Sequence, residues 1–219
     1  MHKNIALWDV VCYVVFPLVI WNVSRDIIGD YYAMLVSSVP GIIYSIIRFL
    51  LLKKINVFGI FMIATLVIGT LIDVLAGSAI QMLWNNVYYS YVLAAFFLLT
   101  IAMNKPIYLY FSIDIVEMQG FSRSYLKEKF YERKVLLAFK LITLVFAMRD
   151  IILASIKIWL ITKYGVEAFD KGIILRQVLS WTLTGVSVLG FIYITKETKL
   201  QPSMKKQEAA VPVTEPELK

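Results

Sequence analysis

The architecture of this chain turns on residues 144–161, LVFAMRDIILASIKIWLI. The run is apolar over a length that matches the hydrocarbon core of a bilayer, which takes roughly 20 helical residues at ~1.5 Å rise each. Yet Arg149 and Asp150 stand side by side at its centre, and Lys157 follows two turns later. Insertion scales put an Arg or Asp at mid-membrane at about +2.5 to +3.5 kcal/mol each. Arg149 and Asp150 must therefore face protein or water, since the midplane is too deep for easy snorkelling, whereas Lys157 lies on the outer side and can reach that interface.

The rest of the sequence is of the same kind. It is 60% hydrophobic and 17% charged, with a mean hydropathy of +0.75. A soluble domain of this length needs more polar residues to cover its surface. The apolar residues fall into six blocks of span length, about 5–24, 31–52, 57–76, 87–104, 137–161 and 172–194. Backbone in lipid must bond to itself, so the expected fold is all-α: a polytopic bundle of six transmembrane helices. The segment 105–134 opens with Lys105-Pro106 and becomes strongly charged. It reads as a cytoplasmic interfacial helix followed by a basic loop, or as a fourth helix kinked at Pro106. Residues 196–219 carry three Pro and many charges, which predicts a disordered cytoplasmic tail.

Charge sets the orientation. With the N-terminus inside, 15 of the 22 Lys and Arg fall on the inner side, 4 on the outer side (Arg176 among them) and 3 within the fifth block. That split places both termini in the cytoplasm. The net charge of +7 is then a topology signal, and nucleic acid is excluded as a partner. Aromatic residues mark the boundaries, with Trp21, Tyr31, Tyr32, Trp84 and Trp159 at the outer interface and Trp8 and Tyr108 at the inner one. A single Cys (Cys12) and a single His (His2) rule out an internal disulfide and a Cys/His metal cluster. No cofactor is implied. The GxxxxGK[ST], HExxH, GxSxG and GxGxxG signatures are missing, which points away from an enzyme. Asp114 and Glu117, three apart, read as a solvated helix face.

The candidate site is the intramembrane polar set Asp73, Arg149 and Asp150. Neighbouring residues on a helix point ~100° apart, so Arg149 and Asp150 are poorly placed to neutralise each other. The face bearing Asp150 also carries Thr143, Ala147, Ala154 and Lys157, small or polar residues suited to close helix packing. Arg149 needs a partner from another helix. Asp73 is the best acidic candidate, on the ladder Thr65, Gly69, Asp73, Gly77, whose glycines admit a neighbouring helix. By residue count it lies roughly 10 Å outward of the midplane, within reach of a long Arg side chain. Pro40, in SSVPG (37–41), reads as a packing kink whose hydroxyls serve freed carbonyls, or as a broken helix able to hold an ion.

The order of features resembles a known family. A Pro-containing first span is followed by GDYYAMLVSSVPGIIYSIIRFLLLKKINVFGIF (29–61), then NKPIYLYF (104–111) and FYERKVLLAFKLITLVFAMRDIILASIKIWL (130–160). The matching points are Pro17, Pro40, Arg48, the Lys53–Lys54 turn, Lys105–Pro106 and Arg149. Together they resemble an uncharacterised family of small bacterial multi-pass membrane proteins, distantly similar to intracellular septation protein A. The resemblance covers most of residues 5–195. It implies a bacterial plasma membrane location and an envelope role, and it supplies no catalytic residue.

Two functions follow as expectations. The leading one is a non-enzymatic envelope or scaffold protein, docking through residues 105–134. Its partners would be the lipid bilayer, other membrane or envelope proteins, or further copies of itself. The alternative is a small transporter or channel for an ion or small solute, with Asp73, Arg149 and Asp150 along the path.

Overall fold

The computed structural model describes residues 5–51 and 56–198. Those residues are helical almost throughout, with no strand among them. In chain order the helices are α1 (Ile5–Val10), α2 (Phe16–Ile28), α3 (Asp30–Leu51), α4 (Val57–Val74), α5 (Ala79–Ala102), α6 (Ile107–Glu117), α7 (Arg123–Phe130), α8 (Arg133–Tyr164) and α9 (Ala168–Thr198). A π-turn, Val11–Val15, joins α1 to α2 without a break. Pro17 has no N–H to donate and its ring crowds the carbonyl of Tyr13, one turn back. The wide turn just ahead of it accommodates both, and there the Phe16 N–H donates to the Val11 carbonyl, five residues earlier.

Four helical stretches are long and apolar enough to cross a membrane: Leu7–Ile28, Asp30–Leu50, Val57–Val74 and Ala79–Ala102. Their large apolar side chains point outward, with Val23 66%, Ile27 79%, Leu50 67% and Leu99 62% exposed. A water-soluble protein does not show a continuous apolar exterior of this kind. These are the features of a membrane protein. The helices α8 and α9 are longer still, at 32 and 31 residues.

Several element ends differ from the hydropathy reading, each for a local reason. Helix α5 starts at Ala79, well ahead of residue 87, because Ser78 caps it by accepting a hydrogen bond from the Gln81 N–H. Polar Gln81, Asn85 and Asn86 dilute the hydropathy of that first part. Helix α4 stops at Val74, and Gly77 sits beyond it with φ +72°. The ladder Thr65, Gly69, Asp73, Gly77 therefore ends at Asp73, and Gly77 serves the turn into α5 instead of a helix face. Pro106 neither kinks the fourth helix nor sits inside the next one. Helix α5 ends at Ala102, Asn104 takes φ +57°, and Pro106 is the N-cap residue of α6. Pro40 lies within an unbroken α3. Around it the Ser37 and Ser38 hydroxyls donate to the carbonyls of Ala33 and Leu35 at 2.6 and 2.7 Å. The C-terminal tail from 199 onward and the Lys53–Lys54 turn lie outside the described residues, and α9 continues through 196–198.

Helix α8 is the spine, packed against α5 along one side and α9 along another. Its small residues Thr143, Ala147 and Ala154 are fully enclosed. Two apolar cores flank its centre. One gathers Trp21, Ala33, Met34, Met82, Val87 and Ala154 with Leu160 and Ile161 near the C-terminal end of α8. The other gathers Leu109, Ile113, Leu126 and Phe130 with Val135, Phe139 and Ile142 near its N-terminal end. Trp21 is thus a core residue, 1% exposed, against Phe169 at 5.1 Å, and not the interface ring expected from its position. Trp181, by contrast, is 53% exposed on the outside of α9. Toward the N-terminal end of α8 the Ile142 side chain packs on Gly190 of α9, where a Cβ would meet its Cδ1 at 2.9 Å.

Candidate functional site: a polar layer between two apolar cores

Arg149 and Asp150 of α8 lie between those two cores, and Lys157 lies level with the first, between Ala154 and Leu160. Arg149 and Asp150, adjacent in sequence, approach to 3.8 Å (Nε to Oδ1), with side chains 21% and 14% exposed. The two expected to be poorly placed to neutralise each other do touch, at the edge of ion-pair distance and without a hydrogen bond. The contact is loose. Arg149 Nη2 donates to Ser180 Oγ of α9 at 3.3 Å, while Arg149 Nε is enclosed and has no hydrogen-bond partner. An enclosed N–H with no acceptor is costly, at about 1–3 kcal/mol or more when charged.

Asp73 does not complete the expected pair with Arg149; no ion pair joins them among the described residues. Its Oδ1 accepts from Asn86 Nδ2 of α5 at 2.7 Å, and Asn86 also donates to the Met82 carbonyl at 2.9 Å. Helix α4 is tied down around it. Tyr31 OH of α3 donates to the Val74 carbonyl at 2.7 Å, and the Tyr89 hydroxyl of α5 donates to the Thr65 carbonyl at 3.2 Å. The Tyr89 ring lies over Gly69, 4.0 Å from where a Cβ would stand.

Asp150 feels Arg149 first, and both Asp73 and Asp150 feel Lys157 of α8 and Arg176 of α9. Arg176 is in turn within electrostatic reach of Asp73, Asp150, Arg149 and Tyr13. It was counted from sequence as an outer-loop charge, one turn into the sixth block. Its position became legible only with α9 laid against α8. Helix α9 begins at Ala168, so Arg176 is more than two turns in, and it is one turn from Ser180, the partner of Arg149. The polar layer therefore holds Asp73, Arg149, Asp150, Lys157 and Arg176, drawn from three helices, with Asn86 and Ser180 as neutral partners.

A second polar cluster sits at the N-terminus of α4. Asp114 of α6 is 1% exposed, against the expectation of a solvated face. Its Oδ2 accepts from the Phe58 backbone N–H at 2.9 Å, and its Oδ1 from Arg123 Nη1 at 2.8 Å. The same Nη1 reaches Glu117 Oε2 at 2.7 Å. The carboxylate thus takes up a free N–H at the start of α4, where the helix dipole favours negative charge. Asn56 caps the same end by accepting from Gly59 N–H at 2.8 Å. Hydrogen bonds to Asp114 and then Glu117 push the Arg123 guanidinium up from its ordinary value. Segment 105–134 is accordingly two helices, α6 tucked among α4, α5 and α8, and α7 across its end. At the rim, the Tyr110 and Tyr131 hydroxyls share a hydrogen bond of 2.9 Å. Burial, then that bond, pushes the Tyr131 phenol up to about 12.

Among the described residues no group of His, Cys, Asp and Glu is placed to hold a metal ion. No protein-family model, no curated protein and no solved structure matches the chain.

Proposed function

We propose that this is a six-span protein of a bacterial plasma membrane, with both termini cytoplasmic, that passes a small ion or polar solute through the layer formed by α4, α8 and α9. In this reading α8 and α9 are the fifth and sixth spans, and α6–α7 form a cap at the cytoplasmic end. The observation that carries it is that Lys157 and Arg176 make no hydrogen bond and no ion pair within 4.0 Å among the described residues, although both lie deep in their helices. Charges kept only to fix helix register are expected to be paired. Unpaired ones at depth need water or a visiting partner.

Accessibility of these two positions tests the reading. In a Cys12→Ser background, Lys157→Cys and Arg176→Cys are exposed to a membrane-impermeant thiol reagent in intact vesicles, with Val178→Cys, on the outward face of α9, as the lipid-facing reference. Labelling of the first two from at least one side, with Val178→Cys protected, is the expected result. Protection of all three overturns the path. It leaves the envelope or scaffold reading, for which the exposed Lys127, Arg133 and Lys134 beside α6–α7 provide a basic docking face.

A further inference from the structure

The charges of the polar layer do not cancel. Three are cationic (Arg149, Lys157, Arg176) and two anionic (Asp73, Asp150). The two carboxylates have partners of their own: Asp150 has Arg149 at 3.8 Å, and Asp73 has the Asn86 amide at 2.7 Å. What remains is one uncompensated positive charge, carried by two side chains that have no direct partner.

Those two cations share one stretch of the α8–α9 seam. Arg149 meets Ser180 at 3.3 Å, which fixes the register of the antiparallel pair. From there Lys157 is eight residues, roughly 12 Å, toward the C-terminal end of α8. Arg176 is four residues, roughly 6 Å, in the same direction on α9. Arg176 therefore lies between the levels of Arg149 and Lys157, and the three cations feel one another. Arg149 Nε is the only enclosed side-chain N or O without a hydrogen bond among the described residues. As residues Lys157 is half-buried and Arg176 exposed, so neither side chain is wholly sealed within the seam. Tyr13 belongs to the π-turn, which touches α9, and is within electrostatic reach of Arg176.

We infer that Lys157 and Arg176 form a binding site for a small monovalent anion, of the class of chloride or formate, in the seam between α8 and α9. One negative charge neutralises the layer. Guanidinium and ammonium together supply several N–H donors in charge-assisted hydrogen bonds. The site rests on the proposed path, and it names the class of solute that would use it.

The test uses the full chain in lipid nanodiscs. Chloride and formate are titrated against gluconate at constant ionic strength, and the thermal unfolding midpoint is followed. A ligand that binds the folded state raises the midpoint with concentration. We expect a saturable rise with one or both anions. Lys157→Gln and Arg176→Gln should each weaken the apparent affinity about tenfold or more, the usual scale for losing a hydrogen bond to a charged group. Arg176→Lys should retain most of it. A midpoint insensitive to both anions overturns the site, and so does a rise that survives unchanged in both Gln variants. The two readings fail separately. Labelled Lys157→Cys and Arg176→Cys without an anion response leave a path for another solute, whereas unlabelled cysteines remove the path and the site together.

Discussion

Two carboxylates of this protein are held in opposite ways. Asp114, beside the N-terminus of α4, is sealed and saturated: a backbone N–H and a guanidinium bind its two oxygens at 2.9 and 2.8 Å. Asp150, in the middle of α8, has one loose contact at 3.8 Å and stands among three cations. The first cluster leaves neither oxygen of Asp114 free, although a cavity of about 430 Å³ lined by Asn56, Ile60, Glu117 and Arg123 opens beside it. The second has donors to spare. A saturated buried cluster does structural work, because breaking it strands its members. An unsaturated one is tolerated for what it meets.

Breaking the saturated cluster should give the largest effect. Asp114→Ala removes the acceptor for both Arg123 and the Phe58 N–H. Destabilisation by about 3–5 kcal/mol is expected, the usual consequence of removing one member of a buried pair. Denaturant unfolding in mild detergent measures it. Asp114→Asn should cost less, since the amide oxygen can still accept from Phe58. Equal losses for the two variants would mean that Arg123, and not the cap of α4, carries the effect.

The unsaturated layer should respond with a smaller change of opposite sign. Arg176→Met keeps the length of an apolar stem and removes a charge that has no partner. Stability is expected to be unchanged or to rise by about 1 kcal/mol, because no hydrogen bond or ion pair within 4.0 Å is lost with the guanidinium. The same unfolding assay reads it. A loss of several kcal/mol would place Arg176 with Asp114 as a structural charge and collapse the distinction between the two regions.

The smallest effect belongs to the rim of the inner cluster. The folded-state value of Tyr131, about 12, lies above that of an ordinary phenol. The contribution of its bond with Tyr110 is therefore complete below pH ~10 and is lost as pH rises toward 12. A difference titration of tyrosinate absorbance between the protein and Tyr131→Phe should show one phenol ionising well after the exposed tyrosines. Removal of Tyr110 should bring that step down. A step already at pH ~10 would show that the rim bond has no grip on Tyr131.

Hydropathy located the long helices because exposed apolar faces and apolar cores both register in composition. It missed the start of α5, where the Ser78 cap and the polar turn Gln81–Asn86 hide eight helical residues. The ladder of small residues also ran one step too far, to Gly77, since a glycine in a turn and a glycine on a packing face look alike in a string of residues. The site was half legible. Arg149, Asp150 and Asp73 stood out as charges in apolar surroundings, but their partners depend on which helices touch. Asn86 and Ser180 carry no charge to betray them. Arg176 sits near the start of its block, where a cation normally marks an interface. Asp114 misled for the same reason: a carboxylate three residues from a Glu, in a charged segment, gives no sign that α6 folds inward.

The π-turn at Val11–Val15 gives the first helix something like a reading frame. It holds one residue more than an ordinary turn, so dropping a single residue there would swing everything upstream by ~100° about the axis. Asp9, whose Oδ1 grips Arg48 of α3 at 3.0 Å, would face away from it. Exchanging side chains within those five positions leaves that clasp aligned. For this segment, length is guarded more strictly than composition.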